Sequence, residues 1–411
     1  MNRKDVTEAL SRRRFLAQAG AAAASLTLLG PDIARSAHRE KKIRLGIIGC
    51  GGRGRWIAPL FQDHGGYEIV AAADYFTDRV ESFGAKFGIP PAKQFTGLSG
   101  YRRLLDSGVD AIAIESPPYF HPEQSAAGVD AGVHVYLAKP VAVDVPGSHL
   151  VEGSAQKASS KRLCLLVDFQ TRAHEIFIEA LRRVHQGALG EFVFGEATYH
   201  AECPFEPWYD LLMKEPDNPE SLLRGWGLDR ALSGDMITEQ DIHALDIMNW
   251  IMKEPPLWAT GTAGLKGRPK IGTCSDHFVV YYQYPASVAI QFSGRQFKGH
   301  GTSEGIRNRM FGSKGILETE YGGSVLIRGE NFYKGGKTTE IYEEGALCNI
   351  ATFHRCITEG NFSNATVPPS VQSNLVSILG RKAAYENRLV TWNELVTDSE
   401  RMVPRLEGLR D

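Results

Sequence analysis

The chain has 411 residues, of which 43% are hydrophobic and 23% are charged. This composition is typical of a globular protein of about two to three domains, and it excludes a disordered chain, a coiled coil and a membrane-embedded bundle. Lysine and arginine (46) balance aspartate and glutamate (48), and the net charge of −2 argues against nucleic acid as a partner. Local motifs must therefore indicate the activity.

Residues 1–37 are predicted to form an export signal and its linker. Ser-Arg-Arg-Arg-Phe-Leu at residues 11–16 precedes a weakly apolar, alanine-rich run at residues 17–30. A membrane-spanning helix needs about 20 strongly apolar residues, so this run is too short. Consecutive arginines before such a run are typical of the twin-arginine route. An amphipathic first helix is the alternative. We expect twin-arginine export to the periplasm, with no stable membrane insertion after signal removal.

Residues 41–165 are predicted to form a Rossmann domain. Short apolar runs alternate with helical patterns over this region, which is typical of a doubly wound parallel sheet in an α/β domain. The predicted strands are residues 43–48, 68–73, 110–114, 134–137 and 163–167.

Residues 166–411 are predicted to form an α+β domain for substrate binding and oligomerisation. Runs with period-two alternation are typical of strands in a large, mainly antiparallel open sheet with one face on a core. These runs are at residues 276–284, 288–295, 307–311 and 315–320, after a strand at 191–200. Helices are predicted at residues 173–186, 234–252, 346–358 and 370–387.

The first predicted strand leads directly into a glycine-rich motif, Gly-Cys-Gly-Gly-Arg-Gly at residues 49–54. In a GxGxxG loop the glycines allow a tight turn, close approach of backbone N–H groups to a pyrophosphate and close helix packing. An acidic residue about 20 positions later, here Asp74, accepts hydrogen bonds from the ribose hydroxyls and favours NAD over NADP. The predicted dinucleotide-binding residues are Gly49, Gly51, Gly52, Arg53, Gly54 and Asp74.

Further motifs follow the later predicted strands. Glu-Ser-Pro-Pro-Tyr-Phe-His occupies residues 115–121, and Ala-Lys-Pro occupies residues 138–140. Ligands bind outside the carboxyl ends of the strands in an open parallel sheet, so these motifs should converge on one crevice. We expect Ser116, Pro117, His121 and Lys139 to contact the cofactor.

With these motifs the chain resembles the glucose–fructose oxidoreductase / inositol dehydrogenase family (Gfo/Idh/MocA) over residues 42–390. The resemblance is carried by residues 49–54, by Ser-Pro-Pro-Tyr-Phe-His at 116–121, by Ala-Gly-Val-His-Val-Tyr-Leu-Ala-Lys-Pro at 131–140 and by the segment 234–246 with its histidine. It implies a nicotinamide cofactor, a sugar or polyol substrate, and a homodimer or homotetramer.

The resemblance also implies roles for single residues. Lys139 would contact the substrate hydroxyl, and His243, with an ordinary pKa of about 6.5, is the favoured general base. Glu239, His243 and Asp246 should share one helix face, because they are spaced at i, i+4 and i+7. Glu239, Asp246 and Arg172 are predicted substrate contacts, although Asp246 could pair elsewhere and Arg172 could form a salt bridge at the domain boundary.

The chain departs from the family pattern at three positions. Ala138 stands where the family has glutamate before Lys-Pro, Glu239 replaces an aspartate, and Asp241 replaces a glycine. Glu239 and His243 could form half of a metal site, but no third ligand is evident and we expect no metal. The six scattered cysteines show no zinc spacing, and we expect them to be small buried residues.

The leading hypothesis is an exported NAD(P)-dependent sugar oxidoreductase that uses Lys139 and His243. A periplasm offers no ready pool of free dinucleotide, so we expect a tightly bound NAD. Two alternatives stay open: a redox-neutral NAD-dependent glycosidase that acts by transient ring oxidation and elimination, and a non-catalytic sugar or dinucleotide sensor.

Overall fold

The first sheet consists of six parallel strands in the order β3-β2-β1-β4-β5-β6, in a computed structural model that describes residues 42–411. Its short apolar strands are buried on both faces, as is usual for parallel sheets. This confirms the predicted parallel sheet, while the three-residue strand β3 was not predicted. The strands are β1 (Ile43–Ile48), β2 (Tyr67–Asp74), β3 (Gln94–Thr96), β4 (Ala111–Ile114), β5 (His134–Ala138) and β6 (Leu165–Asp168).

Helices cover both faces of this sheet. Ala111 and Ala113 of β4 face one apolar core, whereas Ile112 and Ile114 face the other, because side chains alternate along a strand. The predicted export signal lies outside the described residues. Within those residues, no helix has the length and apolar content needed to cross a membrane. The helices of this domain are α1 (Gly52–His64), α2 (Thr77–Phe87), α3 (Gly100–Leu105), α4 (His121–Asp130) and α5 (Val145–Ser160).

The second sheet has nine strands and is antiparallel except for one pair. Only β7 and β10 run parallel, and the order is β14-β13-β12-β11-β7-β10-β9-β8-β15. Burial alternates along β9, as predicted for a sheet with one face on a core. Its strands are β7 (Phe192–Ala201), β8 (Trp258–Gly264), β9 (His277–Gln283), β10 (Ala289–Gln296), β11 (Gly305–Gly312), β12 (Gly315–Glu320), β13 (Ser324–Gly329), β14 (Tyr333–Lys337) and β15 (Val390–Thr391).

The remaining helices follow β6 and connect or cover the second sheet. The core of the second sheet is continuous with that of the first through the long, almost fully buried helix α14. These helices are α6 (Gln170–Ala173), α7 (Glu175–His185), α8 (Tyr209–Lys214), α9 (Pro219–Arg224), α10 (Arg230–Ser233), α11 (Met236–Glu239), α12 (Ile242–Met252), α13 (Ile341–Glu359), α14 (Val367–Glu386) and α15 (Trp392–Val396).

The single helix predicted at residues 234–252 is wrong, because the chain is interrupted there. Asp235 has a φ of 72°, and its carboxylate accepts a hydrogen bond from the backbone N–H of Met236 to start α11. The helix stops after Glu239, and α12 begins at Ile242. Glu239 and Asp246 therefore belong to different helices and do not share the predicted face.

The last part of the chain returns to the first sheet. Ala346, Ile350 and Phe353 of α13 join the core beneath β1, and the Tyr67 hydroxyl donates a hydrogen bond to the Ile350 carbonyl at 2.9 Å. The backbone N–H of Leu98 donates to the carbonyl of Arg410 at 3.0 Å. Late segments thus complete the dinucleotide-binding half of the molecule.

We expect Gly54→Ala to destabilise the protein by about 1–3 kcal/mol, the usual cost of overpacking. A Cβ at Gly54 would lie 2.0 Å from the carbonyl oxygen of Gly49, so the loop backbone would have to move. Gly52→Ala is the matched control, because nothing lies within 4 Å of its Cβ position. The free energy of unfolding in urea measures both, and equal values would contradict the close packing of α1 on the loop.

Candidate active site

The glycine-rich loop forms one wall of a cavity of about 380 Å³ at the carboxyl ends of β1, β2 and β4, which we call the dinucleotide cavity. Gly49 has a φ of +96°, and a Cβ there would lie 2.5 Å from the backbone of Glu115. Gly51 precedes α1 without any side-chain cap, so the helix N-terminus remains available to an anion. This cradle fits the diphosphate of a dinucleotide.

Asp74 ends β2 at the edge of the same cavity. Its carboxylate accepts hydrogen bonds from the backbone N–H groups of Cys50 and Phe76 at 2.8 and 2.9 Å. These bonds fix the carboxylate beside the loop, where a ribose would lie. Arg79 also lines the cavity, and its Nη1 lies 3.6 Å from the Cβ position of Gly51. A cation is therefore available near the phosphate cradle.

Arg53 lies in a buried ion cluster. Its Nε lies 2.9 Å from Glu115 Oε2, another nitrogen contacts Asp168, and Nη1 donates to the Tyr342 hydroxyl at 2.9 Å. Burial acts to lower the pKa of the guanidinium, but Glu115 and Asp168 raise it above its ordinary value. Arg53 therefore keeps its charge, and its side chain is engaged by protein groups rather than aimed at the loop.

A second cavity of about 300 Å³ lies next to the first, and we call it the substrate cavity. The two cavities share Arg53, Glu115, Ser116, Phe205 and Trp226. Its predicted lining residues are His121, Lys139, Glu239 and His243, to which the structure adds Tyr199, Gln240, Tyr321 and Tyr342. Residues from both sheets thus meet at one continuous crevice.

Lys139 follows β5 and is held by Glu239 of α11. Its Nζ donates to the Glu239 carbonyl oxygen and lies 3.3 Å from Oε1 of the same residue. Both side chains are about nine-tenths buried. Burial lowers the pKa of the Lys139 ammonium, and Glu239 raises it in part. An ammonium with a lowered pKa can share a proton with a substrate hydroxyl.

His243 enters the substrate cavity from the first turn of α12. Its ring lies between Phe169 and Tyr321, with centroid separations of 6.3 and 5.5 Å. Burial, with Lys139 and Arg53 nearby, lowers the pKa of the imidazole well below its usual 6.5. The ring is therefore neutral near pH 7 and has a free lone pair to accept a proton.

His121 lies between the two strand-end motifs. Its Nδ1 lies 2.7 Å from the Pro140 carbonyl oxygen and its Nε2 lies 2.8 Å from that of Ser116. Burial lowers the pKa of His121 to about 4, although the two carbonyl groups act to raise it. The neutral ring has one N–H, so it donates a hydrogen bond to one of these carbonyl oxygens and not to both.

Arg172 and Asp246, predicted as substrate contacts, lie outside both cavities. Arg172 Nε donates to both carboxylate oxygens of Asp246, at 2.9 and 3.0 Å, and Ser373 donates to the same carboxylate at 2.7 Å. Arg172 therefore forms a salt bridge, the alternative predicted for it, and Asp246 of α12 pairs with α6 rather than within its own helix.

Glu115, Tyr321 and Tyr342 line the substrate cavity but were not predicted as site residues. Glu115 stands inside the motif at residues 115–121, so its position after β4 was a usable signal. Tyr321 follows β12 and Tyr342 lies in α13, and neither has a local motif. Among residues 42–411, no group of three or more histidines, cysteines, aspartates or glutamates could hold a metal ion.

The chain belongs to the Gfo/Idh/MocA oxidoreductase family, and its first sheet forms the NAD-binding Rossmann domain of that family. Residues 43–165 match the family model described as "Oxidoreductase family, NAD-binding Rossmann fold". Residues 177–318 match the model of the GFO/IDH/MocA C-terminal domain.

Relatives with different activities are similar to this chain. A glycosyl hydrolase family 109 protein of Shewanella pealeana is 26% identical over 231 residues, which cover 51% of this chain and 49% of that protein. The chain thus spans about half the length of this relative. Inositol 2-dehydrogenase of Rhizobium meliloti is 22% identical over 84% of this chain and 96% of that protein. The structure of levoglucosan dehydrogenase with NADH and levoglucosan is 16% identical, with a TM-score of 0.69 over 85% of this chain and 99% of that one.

Acid should destabilise the protein partly through His121. An unfolded histidine binds a proton below pH 6.5, but the folded ring resists protonation down to about pH 4. His121 therefore does not change the free energy of unfolding above pH 6.5. Below that pH it lowers the free energy of unfolding, by about 2 kcal/mol at pH 5. We expect His121→Gln to lose less unfolding free energy than the wild type between pH 7 and 5. His300→Gln, at an exposed position, should behave like the wild type; identical pH slopes for all three proteins would refute this role.

We expect Arg172→Met to reduce the free energy of unfolding by about 3–5 kcal/mol, because it leaves Asp246 buried and unpaired. The control is Arg309→Met, which removes the partner of Glu196 from a half-exposed pair and should cost about 0–1 kcal/mol. Urea unfolding measures both losses. A small loss in Arg172→Met together with a raised KM would instead support the substrate contact.

Proposed function

We propose that this protein is an NAD-dependent oxidoreductase that moves a hydride between a carbinol of a sugar or sugar derivative and a tightly bound nicotinamide cofactor. The observation that carries the proposal is the joint placement of Lys139 and His243 in a cavity that shares its wall with the dinucleotide cavity. The position of Asp74 beside the loop favours NAD over NADP. The family match and the NADH-bound structural neighbour support the cofactor class.

The protein's own residues would handle the hydroxyl proton. When bound, the nicotinamide accepts or donates the hydride. His243, neutral and buried, accepts the proton of the substrate hydroxyl, while the Lys139 ammonium stabilises the developing alkoxide. Glu239 holds the ammonium in place through its carbonyl and carboxylate oxygens. The aromatic rings of Phe205 and Trp226 offer apolar faces on which a sugar ring can stack.

A redox-neutral glycosidase is the second candidate, and the similarity to glycosyl hydrolase family 109 proteins favours it. In that reaction, oxidation at a ring carbon acidifies the neighbouring C–H bond, and loss of that proton expels the aglycone. Water then adds, and the hydride returns to the sugar. Lys139 and His243 would again transfer the proton of the hydroxyl group on the carbon that is oxidised.

The proposal includes export and assembly. The arginine motif at residues 11–16 supports twin-arginine export to the periplasm. Val279, Tyr281 and Phe194 are exposed on the second sheet, at 43%, 39% and 42%, which supports a homodimer or homotetramer that covers this face.

Tight cofactor binding predicts that protein purified without added dinucleotide releases NAD or NADH when it is denatured. Enzymatic assay or mass spectrometry of the released material measures the amount and separates NAD from NADP. Release of no dinucleotide would contradict tight retention. Incubation with nitrophenyl glycosides separates the two candidates, since only the glycosidase releases nitrophenol.

We expect Lys139→Met to lower kcat/KM at least 100-fold and to leave the bound cofactor in place, because methionine keeps the volume but loses the charged donor. Lys157→Met is the control, since the Lys157 side chain is 52% exposed on α5 and pairs with the exposed Asp130. Turnover and cofactor content are measured on the same preparations. Unchanged turnover in Lys139→Met would exclude the proposed role of this amine.

A further inference from the structure

Glu115 lies at the junction between the dinucleotide and substrate cavities and lines both. It follows β4 directly, at the carboxyl edge of the first sheet, and its side chain is fully buried. The mechanism above does not use this carboxyl group. A buried ionisable group in a functional cleft needs an explanation, because burial of a carboxylate is costly.

The surroundings leave the Glu115 carboxyl group without hydrogen bonds. Oε2 lies 2.9 Å from Arg53 Nε in an ion pair, but neither carboxyl oxygen has a hydrogen-bond partner among the described residues. Arg53 also contacts Asp168, so one guanidinium serves two carboxylates. The ionisable groups that face this cluster are Arg53 from α1, Tyr136 from β5, Lys139 after β5, Asp168 from β6, His243 from α12, Tyr321 after β12 and Tyr342 from α13.

Burial raises the pKa of Glu115 to about 7, with Asp168 adding to the rise and Arg53 opposing it. Asp168 contacts another nitrogen of the same guanidinium and competes for its positive charge. A carboxyl group poised in this way exchanges a proton near neutral pH. A change of one nearby charge is then enough to change the fraction of Glu115 that is protonated.

The proposed function places such a charge beside Glu115. Asp74 lies on β2, on one side of β1, and the glycine-rich loop follows β1 itself. A dinucleotide that puts a ribose at Asp74 and its diphosphate at the loop must direct its nicotinamide half toward β4 and β5. Glu115 and Lys139 end those two strands. The oxidised ring carries one positive charge and the reduced ring carries none.

We propose that Glu115 is a redox-linked proton acceptor, which is ionised beside the oxidised nicotinamide and takes up one proton when the ring is reduced. The inference rests on the proposed function. The substrate carbinol supplies the hydride, which is two electrons and one proton, to the ring, and the hydroxyl proton goes to His243. Glu115 binds a separate proton from solvent, so the carboxylate becomes a carboxylic acid as the ring loses its charge.

The test is a redox titration of the cofactor-loaded protein between about pH 6 and 8, followed by the near-ultraviolet absorbance of the reduced ring. If reduction takes up one extra proton, the ratio of oxidised to reduced cofactor at a fixed potential depends more steeply on pH than it does for the free couple. The additional change is up to about tenfold per pH unit. For this two-electron couple, tenfold corresponds to about 30 mV. We expect the steeper dependence in the wild type and its loss in Glu115→Gln, which keeps the shape but cannot ionise.

Glu123→Gln is the matched control, because Glu123 lies in α4 after the same loop and its side chain is 63% exposed. It should keep the steep dependence. A wild-type slope equal to that of the free couple overturns the inference without any variant, and so does a steep slope in Glu115→Gln. Failure to load any nicotinamide cofactor overturns both this inference and the proposed function, whereas loading with an ordinary slope overturns only the inference.

Discussion

The largely buried guanidinium of Arg53 connects the parts of this protein that form the candidate site. From the first turn of α1 it reaches Glu115 after β4, Asp168 at the end of β6 and Tyr342 in α13. A buried charge is tolerated only where partners compensate for its lost hydration, so these four elements must keep their positions together. The wall between the two cavities is therefore held by electrostatic pairing as well as by apolar packing.

Loss of solvent then sets the protonation state of the groups around that wall. Burial lowers the pKa of His243 and of Lys139 and raises that of Glu115. Burial thus places three groups in one crevice: a neutral imidazole, an ammonium with a lowered pKa and a carboxyl group with a raised pKa. Glu115 and Lys139 follow strands of the first sheet, whereas His243 lies in α12, which follows β7 of the second sheet. The three groups therefore come together only where these two parts of the chain pack against each other.

Much of the site was predictable because parallel strands place their carboxyl ends along one edge. The loop at residues 49–54, Asp74, the residues after β4 and Lys139 converge for that reason. The prediction failed where it assumed a continuous helix through Glu239, His243 and Asp246. Asp235, with its positive φ, starts a short separate helix that ends at Glu239, and Asp246, in the next helix, forms an ion pair with Arg172.

The order of residue types along the chain was sufficient to predict an α/β sheet with a dinucleotide loop, followed by an antiparallel sheet. Those features depend on local periodicity and on glycine, whose effects act within a few residues. Only the tertiary structure decided that Tyr321 and Tyr342 face the substrate cavity, that α13 packs beneath β1, and that Glu115 is buried beside a shared cation. Burial and pairing between residues about 60 or more positions apart arise from the packing of whole elements, which no local pattern encodes.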